Sequence, residues 1–354
     1  MILVKNHYFK NKYKKIIILL FVLFLITFFL YNNNERHLSP PIQTAEEILD
    51  GCVILIADSG PYKEVGIKAS GRYCINNDIW QKKLFDMAGH TGPSSYRHLV
   101  DVSASDVEID LRNNTIRSDG HSSGIFLNRD LHAISTIDSD DVKLVSNITI
   151  RNGTLDIRGL GSGVALFNKW RMSEIDERVP ETFNGYQKTK VTLENLLIKT
   201  DNIGIILEGD GNTIRNCTIE SGGVAAITIA GPNTMIINNR ILLKRPSIPG
   251  EMKGTKIRQF KDISALLESR REPKAAIVLH SATGSVISGN RIEVTGKSQT
   301  RHNIYITDES MDVRIQQNTF LGTEDPVTLV GSSTAIMINN TFLPEKSYAK
   351  STGF

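Results

Sequence analysis

The chain has 354 residues, of which 40% are hydrophobic and 22% charged, a composition that excludes wholesale disorder, collagen and a polytopic membrane protein. The formal charge of +3 rests on five lysines in the first 31 residues (Lys5, Lys10, Lys12, Lys14 and Lys15). Without them 36 Lys and Arg face 38 Asp and Glu. A body of that balance lacks the basic excess with which a nucleic-acid binder holds phosphates, so nucleic acid is not an expected partner.

The elements begin with a basic tail, residues 1–15, followed by sixteen residues, Ile16 to Tyr31, with no charge and no helix breaker. As a helix this run covers roughly 24 Å, a little less than a hydrocarbon core of about 30 Å. It is longer than most signal-peptide cores, and no small-x-small cleavage site follows it. With lysines on one side only, it predicts a transmembrane signal anchor with the N-terminus in the cytoplasm and the bulk of the chain outside. A cleaved secretory signal is the rival reading. Both place the body in the periplasm or the extracellular space. Residues 32–50 read as a linker and a capping helix. Thr44-Ala-Glu-Glu47 before Ile48-Leu49 is a capping-box pattern suited to a short helix over the end of a core.

From residue 51 a six-residue pattern recurs, apolar, any, Asn-like, Asn-like, any, apolar. It reads Leu111-RNNT-Ile116, Ile150-RNGT-Leu155, Leu193-ENLL-Ile198, Ile214-RNCT-Ile219, Ile236-INNR-Ile241, Ile287-SGNR-Ile292, Ile315-QQNT-Phe320 and Met337-INNT-Phe342. The shortest separations are 21 and 22 residues, and the longer ones imply insertions. Between these rows lie short alternating strands: Gly124-IFL, Gly163-VALF, Gly204-IILE, Ala226-ITIA, Ala276-IVLH, Asn303-IYIT and Pro326-VTLV. Asn marks tight corners because it tolerates left-handed backbone and bonds neighbouring peptide groups. Two or three short strands per 22 residues describe one coil of a stack, in which no coil buries its inward Ile, Val and Leu alone.

This pattern resembles the right-handed parallel β-helix proteins, the pectate-lyase-like and NosD-type repeat families, over roughly residues 50–345. The expected fold is all-β, a single-stranded right-handed parallel β-helix of about 9–10 coils. It spans 51–345, with insertions at 128–146, 168–190 and 243–274 and a tail at 346–354. Cys52 and Cys74 stand 22 residues apart, one repeat, and are placed to form a disulfide between neighbouring first coils, as an exported protein allows. Cys217 lies inside a repeat and reads as a small buried thiol. The sequons at Asn113, Asn147, Asn152, Asn216 and Asn339 read as ladder corners.

In the resembled families the active groove runs along the strand row read above as Gly-Ile-x-Leu, and the three insertions all rim that row. Long loops in compact folds are often functional. Its outward residues form two columns, Asn128, Phe167, Glu208, Ala230, His280, Thr307, Val330 and Phe126, Ala165, Ile206, Thr228, Val278, Tyr305, Thr328. Glu208, His280 and Tyr305, with Asp210 and Asp308 close by, are the candidate catalytic residues, an acid, an imidazole and a phenol suited to general acid–base work on a sugar. Taken singly, each is more often an ordinary outward polar residue than a catalytic one, and Asp210 and Asp308 also read as turn formers. The 243–274 insertion holds nine Lys and Arg against four acids, with Ile257, Phe260, Ile263 and Leu267 at helical spacing. Its Lys256, Arg258 and Lys261, with Phe167 and Asn128, are the candidate substrate-binding residues for an acidic polysaccharide. A flexible charged loop is the other reading of that segment. Asp138, Asp140 and Asp141 offer oxygens to Ca2+, a solvated loop being the alternative; no other metal or cofactor is expected.

The signatures of several β-helix enzymes are missing. There is no Asn-Thr-Asp of the polygalacturonases, no Asp-Pro-His of the alginate epimerases and no pectate-lyase calcium cluster, and Asp119-Gly120-His121 lacks partners. The expectation is therefore a membrane-anchored polysaccharide-active protein, a lyase, C5-epimerase or glycosidase serving, for instance, exopolysaccharide production. The alternative is a non-catalytic glycan-binding or cell-surface assembly β-helix.

Overall fold

A computed structural model describes residues 48–49, 51–55, 65–81, 98–119, 122–128, 143–159, 161–166, 185–244, 274–295, 301–307 and 310–343. The chain divides into two compact units, Met1–Gln43 and Thr44–Phe354. The first, with the expected anchor at 16–31, lies outside the described residues, as do Thr44–Glu47 and most of the three expected insertions. Among the described residues no helix is long and apolar enough to cross a membrane.

The described residues of the second unit form twenty-seven strands and no helix. Nine of them make one parallel ladder: Val65–Ile67, His98–Val102, Ser123–Leu127, Val164–Leu166, Ile205–Glu208, Ala225–Ala230, Lys274–His280, Arg301–Ile306 and Val327–Leu329. The other eighteen form two more faces. These are a single sheet, because Ile148–Ile157 and Thr192–Thr200 run unbroken round the corner between them and pair on both sides. Parallel neighbours need a crossover, and here each coil's crossover is its own two remaining faces. The product is a parallel β-helix with nine rungs on its first face. Among the described strands only Ile48–Leu49 runs antiparallel to its neighbour, Cys52–Val53; these two residues, inside the 32–50 segment expected as linker and capping helix, are strand and not helix.

The inward residues read from alternation are the core. Ile125 and Leu127, Val164 and Leu166, Ile205 and Leu207, Ile227 and Ile229, Ile277 and Leu279, and Ile304 and Ile306 are all buried in one continuous cluster. Burial of each such side chain contributes about 1.5–3 kcal/mol. Register also aligns Val327 and Leu329 with this column, but Leu329 is 44% exposed, because no described coil lies beyond it.

The asparagine corner is a chain of side-chain bonds. The amide oxygens of Asn239, Asn290, Asn318 and Asn340 accept the N–H of Cys217, Asn239, Asn290 and Asn318 in the preceding rung, at 2.8–2.9 Å. Their Nδ2 groups donate to the carbonyls of Ile214, Ile236, Ile287 and Ile315. The residue before each corner is left-handed: Asn113, Asn152, Asn195, Asn216, Asn238 and Asn339 have φ between 50° and 64°. Three central coils break the inward ladder with Gly153, Leu196 and Cys217, which are register neighbours. At Gly153 an added Cβ would stand 2.3 Å from the Cβ of Leu111, so no side chain fits. Cys217 takes the asparagine's place, donates Sγ–H toward the Arg215 carbonyl, and is driven by burial to a pKa of about 11.

Cys52 and Cys74 form the expected disulfide. Their Cα atoms are 5.8 Å apart and they join the first two rungs, where Ile54 pairs with Cys74.

The ladder predicts a specific weakness. Asn290→Ala removes four side-chain bonds and leaves the Asn239 N–H and the Ile236 carbonyl without partners inside the stack. It should cost roughly 2–4 kcal/mol in chemical denaturation, whereas the corner variant Asn339→Gly, which keeps the left-handed backbone, should cost far less. Equal midpoints for the two variants would show that the ladder does not hold the corner.

Candidate functional site

Along the nine-rung ladder, alternation sends one side chain inward and the next outward. Register places Phe126, Ala165, Ile206, Thr228, Val278, Tyr305 and Thr328 in one outward column. Glu208, Ala230 and His280 are partners in the second. Glu208 and His280 are thus two rungs, about 9–10 Å, apart with only a methyl group between them. Tyr305 is one rung further and two residues back from His280 in register.

His280 is the most constrained member. Its Nδ1 lies 3.0 Å from Thr307 Oγ1, which also lies 3.1 Å from the Leu279 carbonyl. A carbonyl only accepts and the hydroxyl has one proton. That proton goes to Leu279, so His280 donates Nδ1–H to the hydroxyl oxygen and keeps a lone pair on Nε2. Nε2 is shut off from solvent and has no hydrogen-bond partner among the described residues, and desolvation pushes the pKa of the ring down to about 4. The imidazole is therefore neutral and basic at Nε2 through the neutral range.

Glu208 ends its strand and is buried. Its carbonyl accepts from Thr189 Oγ1 at 3.1 Å, and Thr189 is tied 2.9 Å from Asn212 Oδ1. Gly209 follows at φ +113°, where a Cβ would meet Thr189 Oγ1 at 2.3 Å; only glycine makes this exit from the strand. Asp210 sits in the turn beyond. Its carboxylate accepts from Asn233 Nδ2 at 2.9 Å and its backbone bridges to Lys188. Asn128, far toward the first rungs, donates to Asp101 at 3.3 Å. Tyr305 packs on Ala225, Ala275 and Val278. Asp308, Phe167, Lys256, Arg258, Lys261 and the acidic run at 138–141 lie outside the described residues. Among the described residues no three His, Cys, Asp or Glu side chains are grouped to hold a metal.

Two histidines escaped the sequence reading. His302 faces outward beside Tyr305, ring centroids 5.9 Å apart, and its Nδ1 lies 2.8 Å from Thr328 Oγ1. Asn303 was read as the start of its strand, which begins at Arg301. Two consecutive inward residues, Asn303 and Ile304, hide the alternation there. His98 stacks on Phe126 at 3.9 Å and 7°. The outer face of the ladder is also less open than a solvated sheet. Phe126, Ala165 and Ile206 form one buried apolar cluster, and Ala225, Ala275 and Val278 with Tyr305 form another. A groove of about 380 Å³ lies elsewhere, at the asparagine corner between Asn113, Thr154, Asn195, Leu197, Asn216 and Thr218. Its lining holds no titratable group.

The His280 shift is also a stability statement. The folded pKa is about 4 against 6.5 for a free imidazole, so protonation favours the unfolded chain. Stability should hold above pH 6.5, fall as pH drops from 6.5 to about 4, and level off below. His280→Gln should lose that part of the acid slope in melting curves taken across the window. An unchanged slope would mean that the ring titrates freely.

Residues 182–349 match the family described as "Right handed beta helix region". Among solved structures the chain is similar to the periplasmic alginate epimerase AlgG, at 9% identity over 86% of this chain and 81% of that one, with a TM-score of 0.29. It is similar also to the A-modules of two Azotobacter vinelandii mannuronan C-5 epimerases. AlgE4 gives 11% identity over 85% and 83% with a TM-score of 0.31, and AlgE6 gives 11% over 80% and 79% with 0.31. No curated protein matches the chain. The described residues of the chain thus fold as a parallel β-helix, and its residues 182–349 are similar to the right-handed β-helix region.

Proposed function

We propose that the protein is a polysaccharide-active β-helix enzyme that abstracts a proton from an acidic sugar in the ladder groove. The observation that carries this reading is His280. A neutral imidazole on an outward column with an uncommitted Nε2 lone pair is the candidate general base; burial makes it a weaker base than a free imidazole, and Nε2 has to be uncovered for a sugar to reach it. In a uronic acid the carbon next to the carboxyl bears a removable hydrogen. Nε2 takes that proton, and the C–H electron pair passes into the carboxyl group as an enolate. The enolate then either expels the oxygen at the neighbouring ring position, which cleaves the chain, or takes a proton on its other face, which inverts the centre. Tyr305, on the adjoining rung, is the proposed proton donor for either outcome. Lys256, Arg258 and Lys261 are the proposed cations that neutralise the carboxylate, and Phe167 and Asn128 the proposed outer contacts. Asp138, Asp140 and Asp141 would be the oxygen ligands if the protein takes up Ca2+, a solvated loop being the favoured reading of that run.

A glycosidase is favoured less. Hydrolysis needs two working carboxyl groups about the bond. Beside His280 the described part of the groove offers Glu208, while Asp210 is taken by Asn233. Export is part of the proposal: residues 16–31 anchor the chain and the body works in the periplasm or outside the cell, a placement that the Cys52–Cys74 disulfide supports. The non-catalytic reading, a binding or assembly β-helix, is favoured by a different observation, the buried apolar residues along the outer face of the first rungs. Such a face suits packing better than sugar.

The test incubates the full-length protein with uronan and neutral polysaccharides, following ultraviolet absorbance of an unsaturated product, chain length and, by NMR, sugar configuration. Absorbance gain with shortening establishes elimination, and configuration change at constant length establishes epimerisation. Shortening without absorbance would move the assignment to hydrolysis, and binding without any change would leave the assembly reading. If His280 is the base, His280→Gln should lower kcat by about 100-fold or more. The acid limb of wild-type kcat/KM should then fall near pH 4 and not near 6.5, since kcat/KM reports the free enzyme's base.

A further inference from the structure

We infer that the two groove histidines are held in opposite neutral tautomers, and that His302 is a specificity-determining residue whose Nε2–H donates to a carboxylate oxygen of the sugar chain. The second part rests on the polysaccharide reading above; the first does not. Each ring has its Nδ1 against a threonine of the following rung, His280 against Thr307 and His302 against Thr328. The threonines differ in what else they reach. Thr307 is within hydrogen-bond range of the Leu279 carbonyl and sends its proton there, so His280 must supply Nδ1–H. Thr328 has no second acceptor among the described residues. With no such acceptor to draw its proton away, Thr328 is free to give it to His302 Nδ1, and the inferred ring proton of His302 is then on Nε2. One imidazole offers the groove a lone pair and the other an N–H.

The strands separate these two groups. His302 is the register partner of Ala275, five residues before His280 on its own strand, which is roughly 15 Å across the ladder at about 3.3 Å per residue. The two strand positions are thus well apart, although the His302 ring leans toward Thr328 in the Tyr305 column, and the two imidazoles are assigned to different parts of the polymer. His302 acts on a neighbouring part of the polymer. A donor without a lone pair favours an oxygen that only accepts, so it selects carboxylate over hydroxyl.

Long-range nitrogen–proton spectra of the full-length protein, labelled with nitrogen-15 in histidine, read the tautomers directly. His280→Gln and His302→Gln assign the two rings. The expected result near neutral pH is Nδ1–H at His280 and Nε2–H at His302, with Thr328→Val moving His302 toward a mixture. The same tautomer at both rings, or a His302 pattern indifferent to Thr328→Val, overturns the assignment. For the donor role the probes are sodium alginate and the same polymer with its carboxyl groups reduced. His302→Ala should weaken alginate binding about tenfold and leave the reduced polymer unaffected. His302→Gln, which keeps an N–H donor, should recover most of the loss. On any uronan that is turned over, KM should rise with kcat unchanged. Wild-type affinity in His302→Ala overturns the donor role. Opposite tautomers without wild-type binding to alginate would overturn the donor role together with the polysaccharide reading, and leave the tautomer pair standing.

Discussion

Everything in this molecule is placed by the register of parallel strands stacked one coil on the next. A coil of about 22 residues has too little interior to close on its own. Its inward Ile, Val and Leu are dry only because a second coil lies above and a third below. The backbone ladder sets the spacing and the asparagine ladder fixes the phase, because each amide ties one rung's corner to the next through both its oxygen and its nitrogen. A slip of one residue would turn the whole apolar column outward. Outward side chains inherit the same discipline. Glu208, Ala230 and His280 share a column because Leu207, Ile229 and Leu279 share one on the other side of the sheet.

Much of the architecture was therefore legible in the sequence. Period-two strands and a 21–22-residue return of Asn pairs contain the same information as the stack. Six rungs of inward residues, the left-handed Asn corners, the buried Cys217 and the Cys52–Cys74 bridge all follow from that repeat. What was missed lies where the chain departs from it. Asn303 sits at a bend where two successive residues point inward, so counting by twos loses His302. The interruption of the ladder at Gly153, Leu196 and Cys217, by contrast, is visible in the repeats RNGT, ENLL and RNCT themselves. The state of His280 was not legible either. It depends on which carbonyl shares the hydroxyl of Thr307, a contact between rungs that no linear spacing encodes.

The outer face of the ladder combines two environments. Toward the first rungs it carries buried apolar residues and the His98–Phe126 stack. Toward the last it carries two threonine-bound imidazoles and a phenol. A fold that repeats its backbone so regularly leaves function to outward residues, and here those vary along the axis while the inward ones hardly change.

The disulfide has a consequence beyond the folded state. It closes a loop of 22 residues whose ends lie on the first two rungs. In a loop-entropy description this removes about 3 kcal/mol of freedom from the unfolded chain, and it does so at one end only. A one-dimensional stack can in principle nucleate at any interface and grow both ways. With its first described interface clamped covalently, this stack is biased toward growth from that end.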